Sequence, residues 1–442
     1  MTYDIIIGRN EADRKLFKEK GTVFIGKQYV KMGQTTSLSN RVYLDVARTH
    51  VMMICGKRGS GKSYSAGVIA EEMAKLPKEI KERITVLFFD TMGVFLTMKF
   101  PNTRQDKLLY EWGLRPEALE IKVFTPEGFF DEYKRKGIPA DERFSLKTSE
   151  LDAGDWCNVF DVRLTEPVGT LIERVIGGLR KEKEEYSIGD IKEKIRQDQK
   201  EEQRIKNAAE NRFVIAEAWG LFDAKGTTVE ELMQPGSVNV LDISAYTNIT
   251  GNWSIKGLVI GIISKKLLQE RIRARKEEEM EEIRKEKSHF YEEKKEEKPM
   301  VWLILDEAHE FLTKEEKTPA SDALVQLLRE GRQPGISMVL ITQQPGEIHK
   351  DVLTQSDIVL SHKLTAKQDI EALNGMMQSY VIADLQEHLN DLPKQRGAAI
   401  ILDDNSERIY PVAIRPKRSW HGGEAPSALK IKKGLEASLG LK

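Results

Sequence analysis

Eight consecutive residues, Gly56-Lys57-Arg58-Gly59-Ser60-Gly61-Lys62-Ser63, follow the pattern G-x-x-x-x-G-K-S at every position. Residues of these types in this order suit a triphosphate. The glycines allow a tight loop whose backbone N–H groups turn inward, and a helix opening directly after the loop adds favourable potential for an anion. Lys62 supplies a positive charge to the β- and γ-phosphates, and the Ser63 hydroxyl is expected to ligate Mg²⁺. Tyr64 completes the set expected to contact nucleotide. ATP and Mg²⁺ are the cofactors implied.

A second group lies far along the chain. The apolar run Val301-Trp302-Leu303-Ile304-Leu305 ends in Asp306 and Glu307. It reads as a buried strand that delivers the Asp306 carboxylate to the magnesium shell. Glu307 comes next and can polarise the attacking water as general base. An acid in that place argues for hydrolysis, since a nucleotide-binding switch does not need it.

Five further polar residues accompany these groups. Gln343 ends another apolar run; either it reads the γ-phosphate and positions water, or it opens a polar loop with Gln344 before Pro345. Arg329 and Arg332 lie in Leu-Arg-Glu-Gly-Arg-Gln-Pro-Gly. Their planar guanidinium groups suit the charge of phosphoryl transfer, and in a ring one of them can act across the subunit boundary. An arginine at a helix C-terminus is equally favoured by the helix dipole. Asp90 ends a third apolar run and supports either magnesium and water or a plain strand-end turn. His309 is expected to play a structural or coupling role.

These groups need strands to carry them. Continuous apolar runs at 51–55, 84–89, 238–243, 300–305, 335–342, 357–363 and 398–402 read as strands. Helical stretches are expected at 63–76, 255–273 and 320–329. Short buried strands alternating with helices imply a mostly parallel sheet covered on both faces. Residues 1–48 form a small β-rich piece, 101–235 read as a helical insertion, and 271–298 carry ten basic and ten acidic side chains, as a solvated helical excursion does.

Composition removes several function classes. The 442 residues hold 69 basic and 70 acidic side chains, for a net charge of −1, so bulk attraction to nucleic acid is absent. Basic excess is confined to residues 1–50, with nine Lys/Arg against five Asp/Glu, and 415–442, with seven against two. Two cysteines, Cys55 and Cys157, make neither a disulfide framework nor a zinc site. The opening Met1-Thr2-Tyr3-Asp4 precedes only a three-residue apolar run, so no secretory signal is expected, and charges interrupt every apolar stretch before a membrane span's roughly 18 residues. A cytoplasmic protein without a membrane anchor is expected.

The assembled motifs resemble the HerA–FtsK superfamily of ring ATPases, and within it the HerA-like DNA translocases and helicases. The resemblance is carried in order by residues 50–63, 86–95, 235–244, 303–312 with Asp306-Glu307-Ala308-His309, 330–345 with Thr342-Gln343, and 415–424 with His421-Gly422-Gly423. It implies an α/β, RecA-like (ASCE) P-loop NTPase. The core would span 49–100 and 236–414, interrupted by the insertion and followed by a basic tail at 415–442. It also implies a homohexamer moving on double-stranded DNA in end processing, repair or defence, a nuclease partner of the NurA type, Glu307 as base, and Arg332 or Arg329 acting in trans. Two departures stand out. The second strand ends Asp90-Thr91-Met92-Gly93-Val94 where the family often has Asp-Pro-x-Gly-Glu, and about 50 residues precede the loop, fewer than the family's usual β-barrel needs. Two other functions stay open here: an ATPase that drives protein or nucleoprotein transfer, as conjugation ATPases do, and a regulatory protein that binds ATP without motor action.

Overall fold

A computed structural model describes residues 3–32, 35–248, 254–287, 298–376, 388–389, 391–393 and 395–423. Five strands form the centre: β4 (Val51–Cys55), β5 (Ile84–Asp90), β10 (Val238–Asp242), β11 (Met300–Leu305) and β12 (Ile336–Thr342). Almost every residue in them is buried. This is why they read as unbroken apolar runs: a parallel strand covered on both faces has no polar side to show. Alternate residues go to opposite faces. Met53, Leu303 and Leu340 join the apolar cluster on one face, and Met52, Trp302 and Val339 join the cluster on the other.

The remaining strands are β1 (Ile5–Ile7), β2 (Thr22–Met32), β3 (Thr35–Asp45), β6 (Lys122–Pro126), β7 (Glu142–Phe144), β8 (Leu146–Lys147), β9 (Phe222–Asp223), β13 (Ile358–His362), β14 (Ala398–Asp403) and β15 (Arg408–Ile414). All but β8 and β9 join one 13-stranded sheet in the order β1-β3-β2-β15-β14-β13-β4-β12-β11-β5-β10-β6-β7. From β13 to β7 every neighbouring pair is parallel; β13 to β3 runs antiparallel. The parallel strands all finish at one edge, and that edge receives the phosphate loop.

Several expectations change at this level. The N-terminal β-rich residues build a hairpin of two 11-residue strands that pairs through β2 with β15 and so extends the common sheet. Residues 101–235 are mainly helical, yet β6 and β7 within them add to the parallel sheet, so this stretch is in part an extension of the core. The five residues of β6 end in Pro126, too short a run to show a strand period. The expected helix at 255–273 and the charged excursion are one helix, Ser254–Lys287, about 50 Å long at 1.5 Å per residue. Its first half buries Ile255, Val259, Ile263 and Leu267. Farther on it carries spaced ion pairs such as Arg273–Glu277 and Arg275–Glu279. The rest of the excursion at 288–297 and the tail at 424–442 lie outside the described residues.

The start of that expected basic tail is not a free surface. Residues 415–423 leave β15 and cross the helix Lys62–Met73. Arg415 is fully buried against Glu71, which also accepts the backbone N–H groups of Arg418 and Ser419. Lys417 is fully buried as well, its ammonium donating to the Trp420 carbonyl at 3.2 Å. Burial first, then the neighbouring Arg415 charge, lowers the Lys417 pKa to about 8 against the pull of Glu71. Among the described residues no helix is long and apolar enough to cross a membrane.

Candidate active site

The sharp exit from β4 rests on glycine at two places. Gly56 sits so close to Ser60 and His362 that a Cβ would lie 2.6 Å from one side chain and 2.7 Å from the other. Gly61 caps the helix Lys62–Met73 at φ 116°, a left-handed conformation that L side chains avoid. The Lys57 N–H donates to the Lys363 carbonyl at 3.1 Å, pinning the loop to the end of β13. Lys62 is largely buried, with its ammonium on the Lys57 carbonyl at 3.2 Å. Burial holds its pKa below the usual lysine range, opposed by the charges of Glu307 and Asp306.

Those two carboxylates stand at the end of β11, facing Lys62. Asp306 is 2% exposed, and its Oδ1 accepts the Glu307 N–H at 3.0 Å. Burial, then the charges of Glu307 and Asp90, push its pKa up to about 8. Glu307 sits at φ 49°, left-handed and unusual for a side chain of its size. Its Oε1 accepts a hydrogen bond from the Gln343 amide at the end of β12. Its Oε2 is buried with no hydrogen-bond partner, 3.6 Å from His309 Nδ1. That imidazole nitrogen also lies 3.3 Å from Thr342 Oγ1. So Lys62, Asp306, Glu307, Gln343 and His309 are brought together, although they come from three separate stretches of chain.

The donor set fits a hard divalent cation bound beside a triphosphate. Burial and the charges of Glu307 and Asp90 raise the Asp306 pKa, Glu307 Oε2 has no hydrogen-bond partner, and neither has the buried Ser60 Oγ at the loop. Asp306 and Ser63 would supply two oxygen ligands, leaving the others to water and phosphate, as Mg²⁺ prefers. Among the described residues no cluster of three or more His, Cys, Asp or Glu could hold a metal by itself.

Asp90 has a different job. Its carboxylate accepts backbone N–H groups from Met92, Val94 and Phe95 at 3.3, 3.0 and 2.7 Å, which organises the turn after β5. Beside it, the fully buried Asp242 ends β10 in register with Asp90. Burial and the Asp90 charge raise the Asp242 pKa to about 7.

Arg329 and Arg332 lie elsewhere. Arg329 pairs with Asp351 at 2.7 Å, and Arg332 pairs with Asp357 at 3.1 Å. The Arg332 carbonyl receives Thr49 Oγ1, two residues before β4 begins. Both arginines therefore stand where the parallel strands start, whereas Lys62 stands where they finish. Within one chain they do not meet the phosphate loop. Asp357 is shared: it also takes the His50 imidazole at 2.7 Å, and His50 in turn faces Asp45 at 3.6 Å. Burial lowers the His50 pKa, but the hydrogen bond to Asp357 and the nearby Asp45 carboxylate outweigh it and raise the value to about 9.

Sequence reading marked 50–63 and 415–424 only as stretches of a family resemblance, did not read the packing roles of His50 and Arg415, and missed His362. Each acts through partners roughly 300 or more residues away, as in the Ser65–His362 and Glu71–Arg415 contacts. A lone histidine at a strand end carries no local signal. Tyr64 turns its hydroxyl to Gln105 at 2.8 Å and meets the His421 ring edge-on at 5.3 Å. Cys55 and Cys157 are both buried thiols.

A family model described as "Helicase HerA, central domain" matches residues 30–267, more than half of the chain. Another, "Helicase HerA-like C-terminal", matches residues 288–401. The DNA double-strand break repair helicase HerA of Sulfurisphaera tokodaii is 22% identical over 369 residues, covering 82% of this chain and 63% of that one. The probable DNA double-strand break repair helicase HerA of Methanocaldococcus jannaschii is 34% identical over 94 residues, 21% of this chain and 17% of that one. The chain thus spans less than two thirds of the length of these relatives. Among solved structures, VirB4 of Thermoanaerobacter pseudethanolicus superposes with a TM-score of 0.50 at 11% identity, covering 89% of this chain and 97% of that one. That likeness is one of fold.

Proposed function

The chain belongs to the HerA helicase family, and from that premise we propose that it is an ATP-hydrolysing motor that translocates on, or unwinds, double-stranded DNA. The observation that carries the proposal is the meeting of Lys62 with Asp306 and Glu307 at the carboxyl edge of the sheet. In this reading backbone N–H groups of 56–61 and the Lys62 ammonium hold the β- and γ-phosphates. Mg²⁺, held by Ser63 and Asp306, supplies charge neutralisation to the phosphates when bound. Glu307 Oε2, which has no hydrogen-bond partner, takes the proton of the attacking water, while Gln343 fixes the carboxylate through Oε1.

The arginines give the proposal its assembly. Arg329 and Arg332 stand at the far end of the strands from their own Lys62, so either reaches a phosphate only from a neighbouring subunit. A homohexameric ring with ATP at its subunit boundaries meets that need. Double-stranded DNA is the proposed track, and a nuclease of the NurA type is the proposed partner for work in end processing, repair or defence.

The test is ATP turnover by the full chain with and without duplex DNA, with oligomer mass measured in the same buffer. A hexamer whose rate rises with duplex DNA is expected. A monomer whose rate ignores DNA overturns the motor reading. Nucleotide binding without turnover in either condition leaves a regulatory ATP-binding protein instead.

A further inference from the structure

The phosphate loop is not shaped by its own residues alone. His362, the last residue of β13, is fully buried beneath it. Its Nδ1 lies 3.1 Å from the Ala398 carbonyl and its Nε2 lies 2.9 Å from Ser65 Oγ in the first turn of the loop helix. A carbonyl only accepts, so Nδ1 carries the hydrogen. Burial, with the Lys62 charge adding to it, keeps the ring neutral down to a pKa of about 4. Nε2 is therefore the acceptor, and the Ser65 hydroxyl donates to it. The same hydroxyl is 3.1 Å from the Gly61 carbonyl, its alternative acceptor. Residue 362 also lies against the loop backbone: a Cβ on Gly56 would lie 2.7 Å from the histidine Cβ, and one on Gly61 would meet Cε1 at 3.4 Å, an ordinary contact.

We propose that His362 is a positioning residue for the phosphate loop: its imidazole ties Ser65 to Ala398 and so holds the loop from Gly56 to Gly61 in place. The inference rests on the reading of that loop as a triphosphate site. The imidazole touches no phosphate and takes no part in proton transfer. It acts by keeping the loop amides ordered before nucleotide arrives, so that less order has to be imposed on binding.

Two substitutions separate the ring's two nitrogens. Glutamine reaches the Nε2 position, and its Oε1 can accept from Ser65. Asparagine reaches only the Nδ1 position, where it can donate to Ala398 but leaves Ser65 to Gly61. The measurements are amide hydrogen exchange of residues 56–61 in the nucleotide-free full chain, affinity for a fluorescent ATP analogue with Mg²⁺, turnover at saturating ATP, and melting temperature. For His362→Asn we expect faster exchange of the loop amides and an affinity weakened about threefold to tenfold, the worth of one net hydrogen bond, with saturated turnover little changed. For His362→Gln we expect recovery of most of both losses. The proposal is overturned if His362→Asn exchanges and binds like the wild type. It is equally overturned if the glutamine and asparagine variants lose affinity alike in step with melting temperature, which is the mark of a merely structural residue. A wild-type chain that binds no ATP analogue defeats the triphosphate reading, and the loop exchange rates then still decide the role of His362.

Discussion

Gln343 and Glu307 meet across the ends of two adjacent parallel strands, the glutamine amide holding Oε1 of the glutamate and leaving Oε2 bare. The carboxylate is thereby oriented before any water arrives. Glu307→Gln keeps the shape of this contact and removes the proposed base. ATP turnover should fall by about 10²- to 10⁴-fold, the usual worth of a general base, while affinity for ATP changes little. Steady-state turnover beside equilibrium binding checks this, and normal hydrolysis by the variant sinks the assignment of the base.

Gln343→Ala should act differently. The glutamate keeps its charge but loses its clamp, so turnover should drop by about tenfold, with a smaller effect on affinity. Loss comparable to that of Glu307→Gln would instead mean that the glutamine itself meets the reacting water.

The arginines invite a mixing experiment. Arg332→Ala should reduce turnover by about 10³-fold or more if the residue serves as a finger. Assembled together, Arg332→Ala and Glu307→Gln subunits should regain activity, because an intact glutamate then faces an intact arginine across a boundary. No regain in the mixture excludes action in trans by Arg332. The same mixture with Arg329→Ala settles which arginine serves.

Asp306 makes ligand-free stability depend on pH. Its folded pKa of about 8 lies above the unfolded value of about 4, so the folded chain is penalised progressively as pH rises between the two. Asp306→Asn removes that penalty. The variant should match the wild type near pH 4 and exceed it by about 2 to 5 kcal/mol above pH 8, read as a melting-temperature gap that widens with pH. His50 works with the same sign for the opposite kind of group. Its raised pKa of about 9 stabilises the fold below about pH 6.5 and loses that stabilisation as pH climbs through about 9. In His50→Gln that alkaline loss, about 3 kcal/mol, should vanish, leaving a flatter curve over that interval.

Glu71 anchors the segment 415–423 by accepting from Arg415, Arg418 and Ser419. Glu71→Ala leaves the buried Arg415 guanidinium with Glu72 at 3.0 Å as its remaining carboxylate and frees the Arg418 and Ser419 N–H groups, and should cost about 1 to 3 kcal/mol of stability. Chemical denaturation of the two proteins measures it directly; a change below about 1 kcal/mol would show that solvent reaches the site.

What the sequence discloses follows from range. The strands β4, β11 and β12 were readable because a doubly covered strand writes itself as an unbroken apolar run. The loop was readable because its chemistry is packed into eight neighbours, and Asp306 because it sits where such a run stops. His362, His50 and Arg415 were not readable, since each earns its role from a partner on a distant stretch of chain. The run of β6 was too brief to separate from the helices around it, and a basic count at the chain's end could not show that Arg415 and Lys417 are buried.

The order of strands in the sheet has a consequence for how the molecule comes into being. β4, which launches the phosphate loop, is flanked by β12 and β13, and the N-terminal strands β1, β3 and β2 join the central sheet through β15. A chain emerging from the ribosome therefore exposes its earliest strands for the time needed to translate some 300 to 400 more residues. Closing such long loops is slow, and unpaired strands of this kind are prone to aggregate. The loop that β4 launches cannot gain both of its flanking strands until synthesis has passed β13.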